Sequence, residues 1–414
     1  MRNLQFYTLQ RFFPKPWFNN INLGIAGLIF VYMLLYPPFV SHVAFAAEIR
    51  LFIEFFVILI LMGLYLVRND YKFSQHFLWT MITVGLYGFL GGDAPQQVLS
   101  FFLKMLFLLV ILRALDRNLG VYLWVRQLWI WLWAAFFFMA VLGVLGKAGG
   151  LIGFSAFPAK TAYPYQFHPL VGNLLEKNVL GRLLPRYTGY FDEPGLFGLF
   201  AGINYFIARD LFTEKSRQKV WATFALVAAV LSLSYSLYLF LVLYFGFLWT
   251  RRVRISVSLI LTLVAAIALP TIAYIFFNPE ALPNSSVLDR AQSIFNALGA
   301  FLAADLQQMI FGIGILPLKE LIEGGATSGL LQILFARGIL LTGYFYWLIY
   351  RMGRHNGPLM LFVLYYSLTF DFFWYPLFLT GLALSFLGHH HQLESLDFVK
   401  DPHDHRKEPR PQPA

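Results

Sequence analysis

The chain has 414 residues, of which 59% are hydrophobic, 19% aromatic and only 13% charged, and its mean hydropathy is +0.64. That balance excludes a soluble globular domain, and the absence of cysteine excludes disulfides, thiolate metal sites and iron–sulfur clusters. The formal net charge of +10 reads as basic flanks of membrane helices, with no nucleic acid as partner, because the basic residues cluster between apolar runs.

The expected fold is an all-α, polytopic integral membrane protein: one helical domain over 1–388, then a disordered cytoplasmic tail over 389–414. About 12 transmembrane helices are expected, at 22–39, 49–67, 75–91, 98–115, 125–146, 194–209, 219–233, 236–250, 254–277, 327–350, 358–371 and 375–388, each an apolar run fit to cross a bilayer or most of one. The residues before the first run carry Arg2, Arg11 and Lys15 among aromatics and lack the pattern of a removable signal, so the first span is expected to stay as an anchor. The run 219–250 is too long for one helix and is divided at Leu233-Ser234-Tyr235-Ser236; the run 358–388 is divided between Asp371 and Pro376.

With the N-terminus inside, most of the 31 Lys and Arg fall on inside segments, among them Arg209, Lys215, Arg217, Lys219, Arg251, Arg252, Arg351 and Arg354. Short outside loops such as 91–97 carry none. This distribution predicts both termini in the cytoplasm. Two long loops, about 147–193 and 278–326, then face outside, and their aromatics and prolines predict order. Segment 287–309 reads as a helix with Ile294, Leu298, Phe301 and Leu302 on one face.

The first outside loop breaks the charge pattern. It holds Lys147, Lys160, Lys177, Arg182 and Arg186 on the side where basic residues are scarce, which points to an anionic ligand. Arg suits a diphosphate because its planar fork donates two parallel hydrogen bonds and keeps its charge. Pairing with Glu176, Asp192 and Glu193 or with lipid headgroups is the plainer alternative. Asp192 and Glu193 precede Pro194, at the first turn of the sixth span, where a carboxylate caps a helix. Facing a cavity, Glu193 could instead accept a proton from an attacking hydroxyl. The second outside loop carries Arg290, then Phe311-Gly312-Ile313-Gly314, Glu320 and Glu323. Within spans, Lys104 and Arg337 stand alone, and Glu48, Arg50 and Glu54 cluster at one end; they either line an outer cavity or pair internally. His42 and His168 read as satisfied polar residues, and His389-His390-His391 as part of the solvated tail. No HExxH, Walker A or metal-ligand spacing occurs, so the expectation is a metal-independent site with no cofactor.

The stretch Arg186-Tyr187-Thr188-Gly189-Tyr190-Phe191-Asp192-Glu193-Pro194 before a span resembles the Arg-x-x-Gly-x-Phe motif of the O-antigen polymerase (Wzy) and O-antigen ligase superfamily of bacterial membrane glycosyltransferases. Three further features agree. Ser232-Leu233-Ser234-Tyr235-Ser236 resembles the serine-rich break between two short helices in that superfamily. Arg290 followed by Phe311-Gly312-Ile313-Gly314 resembles the end of its second outer loop, and 327–338 resembles the span that follows. The similarity covers roughly 180–350. Ligases of the superfamily carry a His just before this last span; here the place reads Gly324-Gly325-Ala326-Thr327-Ser328, which favours a polymerase.

The resemblance implies a polysaccharide polymerase that joins polyprenyl-pyrophosphate-linked oligosaccharides at the periplasmic face of the inner membrane. Catalytic roles would fall to Arg186, Arg290, Glu193, Asp192 and Glu323. Substrate contacts would fall to Arg182, Lys177, Tyr187, Gly189, Tyr190 and Arg337. The implied partners are the lipid-linked oligosaccharide, membrane lipid, a chain-length regulator and a flippase. The alternatives are an O-antigen ligase, a flippase or transporter of lipid-linked oligosaccharide, and a non-catalytic assembly subunit.

Overall fold

A computed structural model describes residues 16–34, 47–68, 75–156, 165–179, 182–191, 194–252, 296, 298–314, 318, 329–367 and 375–400. The expected ninth span, 254–277, lies outside these residues, as do Asp192, Glu193, Arg290, Glu320, Glu323 and Asp371.

In chain order the first helices are α1 (Pro16–Leu34), α2 (Ala47–Arg68), α3 (Gln75–Leu90), α4 (Pro95–Arg117) and α5 (Leu119–Ala148). Four strands follow: β1 (Ser155–Ala156), β2 (Tyr165–His168), β3 (Gly172–Val179) and β4 (Arg182–Gly189). Then come α6 (Pro194–Leu211), α7 (Lys215–Leu231), α8 (Tyr235–Arg252), α9 (Leu306–Phe311), α10 (Gly329–Gly353), α11 (Gly357–Ser367) and α12 (Pro376–Lys400). The apolar runs and these helices coincide closely, because a run that must satisfy its backbone without water has the helix as its solution. Local chemistry sets several ends. Pro occupies the first turn of α4, and the Asn118 side chain accepts from the Val121 N–H to start α5.

Three of the helices, Pro95–Asp116, Leu119–Ala148 and Ile333–Gly353, are long and apolar enough to cross a membrane. On α5, Trp131, Phe138, Leu142 and Leu145 are all more than half exposed, at intervals that put them on one outward stripe. The opposite side of α5 packs inward. Trp129 and Phe136 meet Phe200 of α6 at 5.5 and 5.2 Å between ring centroids, and the Trp129 Nε1–H donates to Asn204 Oδ1 at 2.8 Å. Helix α6 is the hub. It packs against α7, α8, α11, α12 and strand β4, and Leu199, Phe200, Ala201, Ile203 and Ile207 are wholly buried.

The fold is mostly helical, as expected, and the loop after α5 adds an antiparallel four-stranded meander, β1-β2-β3-β4. Its sequence lacks helical periodicity, and the edge position of β4 accommodates Pro185, which cannot donate to a ladder. The helix expected over 287–309 is interrupted at Asp305, which builds a reciprocal capping box with Gln308 and starts α9. The tail does not begin at 389: α12 continues to Lys400, since 389–400 contains no Pro or Gly to stop it.

Candidate functional site

Strand β4 pairs with β3 so that Leu175 faces Arg186, Leu174 faces Tyr187 and Asn173 faces Gly189, with an irregularity between Asn173 and Leu174. Alternation sends Tyr187 inward and Arg186 to the opposite face. Tyr187 is wholly buried, its hydroxyl donates to the Val171 carbonyl at 2.7 Å, and its ring meets Phe197 of α6 edge-on at 4.8 Å. Gly189 turns the chain with φ of 61°, a conformation that suits glycine. Phe191 is buried among Phe136, Phe197 and Phe200. Tyr187 and Gly189, expected at the substrate, flank Arg186 in the strand as a buried, hydrogen-bonded ring and a left-handed turn. Tyr190 donates to the Pro169 carbonyl at 2.6 Å, and partial burial raises its pKa.

Arg186 is half-buried, and its charge acts on Tyr238 of α8. The Arg motif and the serine break thus lie within electrostatic reach of each other. The Ser232 hydroxyl donates to the Ala229 carbonyl at 2.6 Å and accepts from the Ser234 N–H. Ser234 Oγ in turn accepts from the Leu237 N–H at 3.5 Å to start α8, and the Tyr238 hydroxyl spans the gap to the Val230 carbonyl at 2.6 Å. Between the serines Leu233 has φ of 44°. A bulky residue held left-handed costs about 1–3 kcal/mol, and such strain gathers at functional sites.

Lys177 and Arg182 are placed by register only, opposite Leu184 and Val179 respectively. Lys147 donates to Gln166 Oε1 at 2.6 Å, tying α5 to β2, and His168 accepts from the Leu170 N–H in the β2–β3 turn. Glu54 is buried and lies within electrostatic reach of Lys104. These two span charges interact internally.

Arg337 sits with other elements. Helix α10 breaks at Gly338, whose φ is 75°. The carbonyls of Phe335 and Ala336, released by the break, accept from the N–H groups of Ile313 and Gly314, each at 2.9 Å. The Gly-x-Gly after α9 is thus a backbone-to-backbone clasp. Arg337 is 7% exposed and lies over the Phe101 ring at 4.2 Å and near Tyr87 at 6.0 Å, while the Tyr87 hydroxyl donates to Asp93.

Sequence reading missed a third polar group at the far end of α6. Buried Asp210 accepts from Ser385 Oγ at 2.5 Å, Asn356 Nδ2 at 2.8 Å and Arg209 Nε at 3.3 Å, and His355 Nε2 lies 3.4 Å away. This is not a nucleophilic triad. The same imidazole nitrogen faces both Asp210 and Ser385, whereas a relay needs the two on opposite nitrogens. Burial opposes ionisation of Asp210, but hydrogen bonds from His355, Ser385 and Asn356, with the Arg209 charge, hold its pKa below the ordinary value.

No known protein family, characterised protein or solved structure matches the chain. The helices and their apolar outward stripes define a membrane-embedded helical protein that carries a small β-meander.

Proposed function

We propose that the chain is a polysaccharide polymerase, a metal-independent and inverting glycosyltransferase. It would join polyprenyl-pyrophosphate-linked oligosaccharide repeat units at the periplasmic face of a bacterial inner membrane. In this reading about twelve spans cross the membrane, both termini are cytoplasmic, and the β-meander lies outside. The observation that carries it is that the Arg186 charge reaches Tyr238, beside the strained serine break at Leu233. Tyr187 and Phe191 anchor the motif in the core, and Arg186 is thereby held at the edge of the bundle beside Tyr238.

The acceptor hydroxyl attacks the anomeric carbon, the bond to the pyrophosphate oxygen breaks, and the configuration inverts. Arg186, with Arg290 and Arg182, neutralises the charge that grows on the departing diphosphate. Preorganised donors in a poorly solvated site commonly supply the largest catalytic effect, and loss of one costs about 2.7–4 kcal/mol. Glu193 takes the proton, with Asp192 or Glu323 in reserve. The polyprenyl tail lies along the outward apolar stripes, in contact with membrane lipid.

Arg186→Ala is expected to reduce chain growth at least about 100-fold while the protein still accumulates in the membrane at the wild-type level, because half-buried Arg186 is not part of the core. Long glycan from that variant would refute the assignment. Glu193→Gln separates a base from a helix cap: the amide still accepts a hydrogen bond but takes no proton, so normal turnover in it removes Glu193 from the mechanism. The break of α10 at Gly338 favours one second reading, a flippase, because interrupted membrane helices often build transport sites.

A further inference from the structure

Helix α6 starts at Pro194, so Asp210 lies about 24 Å from the sheet end at 1.5 Å per residue. Here α10, the turn after it and α12 enclose a cavity of about 450 Å³, within the roughly 300–1,000 Å³ of small-molecule pockets. Arg351, Arg354 and His355 line one side, and Phe386, His389 and His390 the other. The His355 and His389 rings stack with centroids 4.6 Å apart and planes at 18°, and His390 sits edge-on to Phe386 at 4.7 Å.

The charge of this cavity has one sign. Asp210 lies beneath it, but that carboxylate is consumed by Ser385, Asn356, Arg209 and His355. Among the described residues no carboxylate lines the cavity. Arg351 and Arg354 are exposed and add two full positive charges. The His355 side chain is only 9% exposed, and its Nδ1 is buried with no hydrogen-bond partner among the described residues. A buried ring nitrogen left in that state is uncommon in a finished site. Three imidazoles might suggest a metal, yet no His, Asp and Glu of the described residues converge closely enough to hold one. Two guanidiniums beside them would repel a cation and grip a planar or tetrahedral anion.

We propose that this cavity binds a phosphate ester, gripped by Arg351 and Arg354 and closed by His389 and His390 from α12. The phosphate of a lipid headgroup and that of a soluble ester share this chemistry. The mouth also carries Tyr350, more than half exposed, beside Phe386, an amphipathic rim of the kind found at membrane–water boundaries, and basic pockets between membrane helices are established headgroup sites.

The test is thermal unfolding of the full-length protein in a nonionic, sugar-headed detergent. Three additives are titrated: glycerol 3-phosphate, short-chain phosphatidylglycerol, and a short-chain diacylglycerol as the phosphate-free control. Saturable stabilisation by phosphatidylglycerol alone identifies a lipid headgroup, and stabilisation by glycerol 3-phosphate as well identifies a soluble ester. In either case the apparent Kd should weaken at least about tenfold in the Arg351→Gln/Arg354→Gln variant, the loss of a charged contact. That variant's own unfolding temperature should stay within about 2 °C of wild type, as for exposed positions. His390→Gln, also exposed, serves as an independent variant and should weaken binding without loss of fold. No stabilisation by either phosphate compound, equal stabilisation by the diacylglycerol, or an unchanged Kd in both variants overturns the proposal.

Discussion

Asp210 illustrates what a single residue contributes and why it was hard to see. Its partners Asn356 and Ser385 lie 146 and 175 residues away in the chain, and in sequence it looks like the acidic neighbour of Arg209 in a basic inside segment. Its hydrogen bonds lower its pKa in the folded state. The stability it supplies is therefore complete above the unfolded carboxylate value of about 3.9 and is lost as pH falls through the lower folded value. Asp210→Asn should cost about 3 kcal/mol at neutral pH and should show a shallower loss of stability than wild type below about pH 4. Unfolding temperatures measured in detergent across pH would check both, and parallel acid profiles would refute the ascription. Arg186 is the opposite case. A cation in a segment that the charge rule leaves nearly empty marks itself, and its charge reaches Tyr238 next to the serine break that the sequence had singled out separately. The inward role of Tyr187 was hidden because only strand pairing shows which side of β4 faces α6.

At the scale of elements, the break in α10 carries the sharpest prediction. A Cβ on Gly338 would lie 2.2 Å from the Ile310 carbonyl oxygen, and φ there is 75°. Gly338→Ala should therefore destabilise the protein by at least about 2 kcal/mol, combining backbone strain with overlap. Gly343→Ala, five residues on in the same helix with nothing within 4 Å, should be neutral or slightly stabilising. Equal thermal unfolding of the two variants would mean that the clasp between 312–314 and α10 is not a fixed part of the fold. Most helices were legible because apolar runs and helices obey the same constraint, an internally satisfied backbone. The split between α7 and α8 was legible too, from its serines. The sheet was not, since β1 to β4 alternate poorly between apolar and polar residues, and the inward face of β3 and β4 depends on packing against α5 and, for β4, α6. The length of α12 was misjudged because polarity was taken as an end, whereas a helix can leave a membrane without stopping.

For the whole molecule, the decisive property is sidedness. The absence of native cysteine makes it directly measurable, because a single introduced thiol is the only one present. Leu170, 76% exposed at the tip of the β2–β3 turn, should as Leu170→Cys react with a membrane-impermeant maleimide added to cells with a permeabilised outer membrane. Glu214→Cys, in the exposed turn between α6 and α7, should react only after lysis. The reverse pattern would place Arg186 on the cytoplasmic side and remove the periplasmic reading. The two proposals place sugar transfer at the sheet end and phosphate binding at the basic cavity beyond Asp210.

The chemistry at the sheet end is open to one direct measurement. Purified protein reconstituted in vesicles and given a polyprenyl-pyrophosphate-linked oligosaccharide as sole substrate should yield glycan of more than one repeat unit together with free polyprenyl pyrophosphate, and the Arg186→Ala protein should yield neither. Donor that crosses the bilayer unaltered, with no glycan lengthened and no pyrophosphate released, would contradict the account.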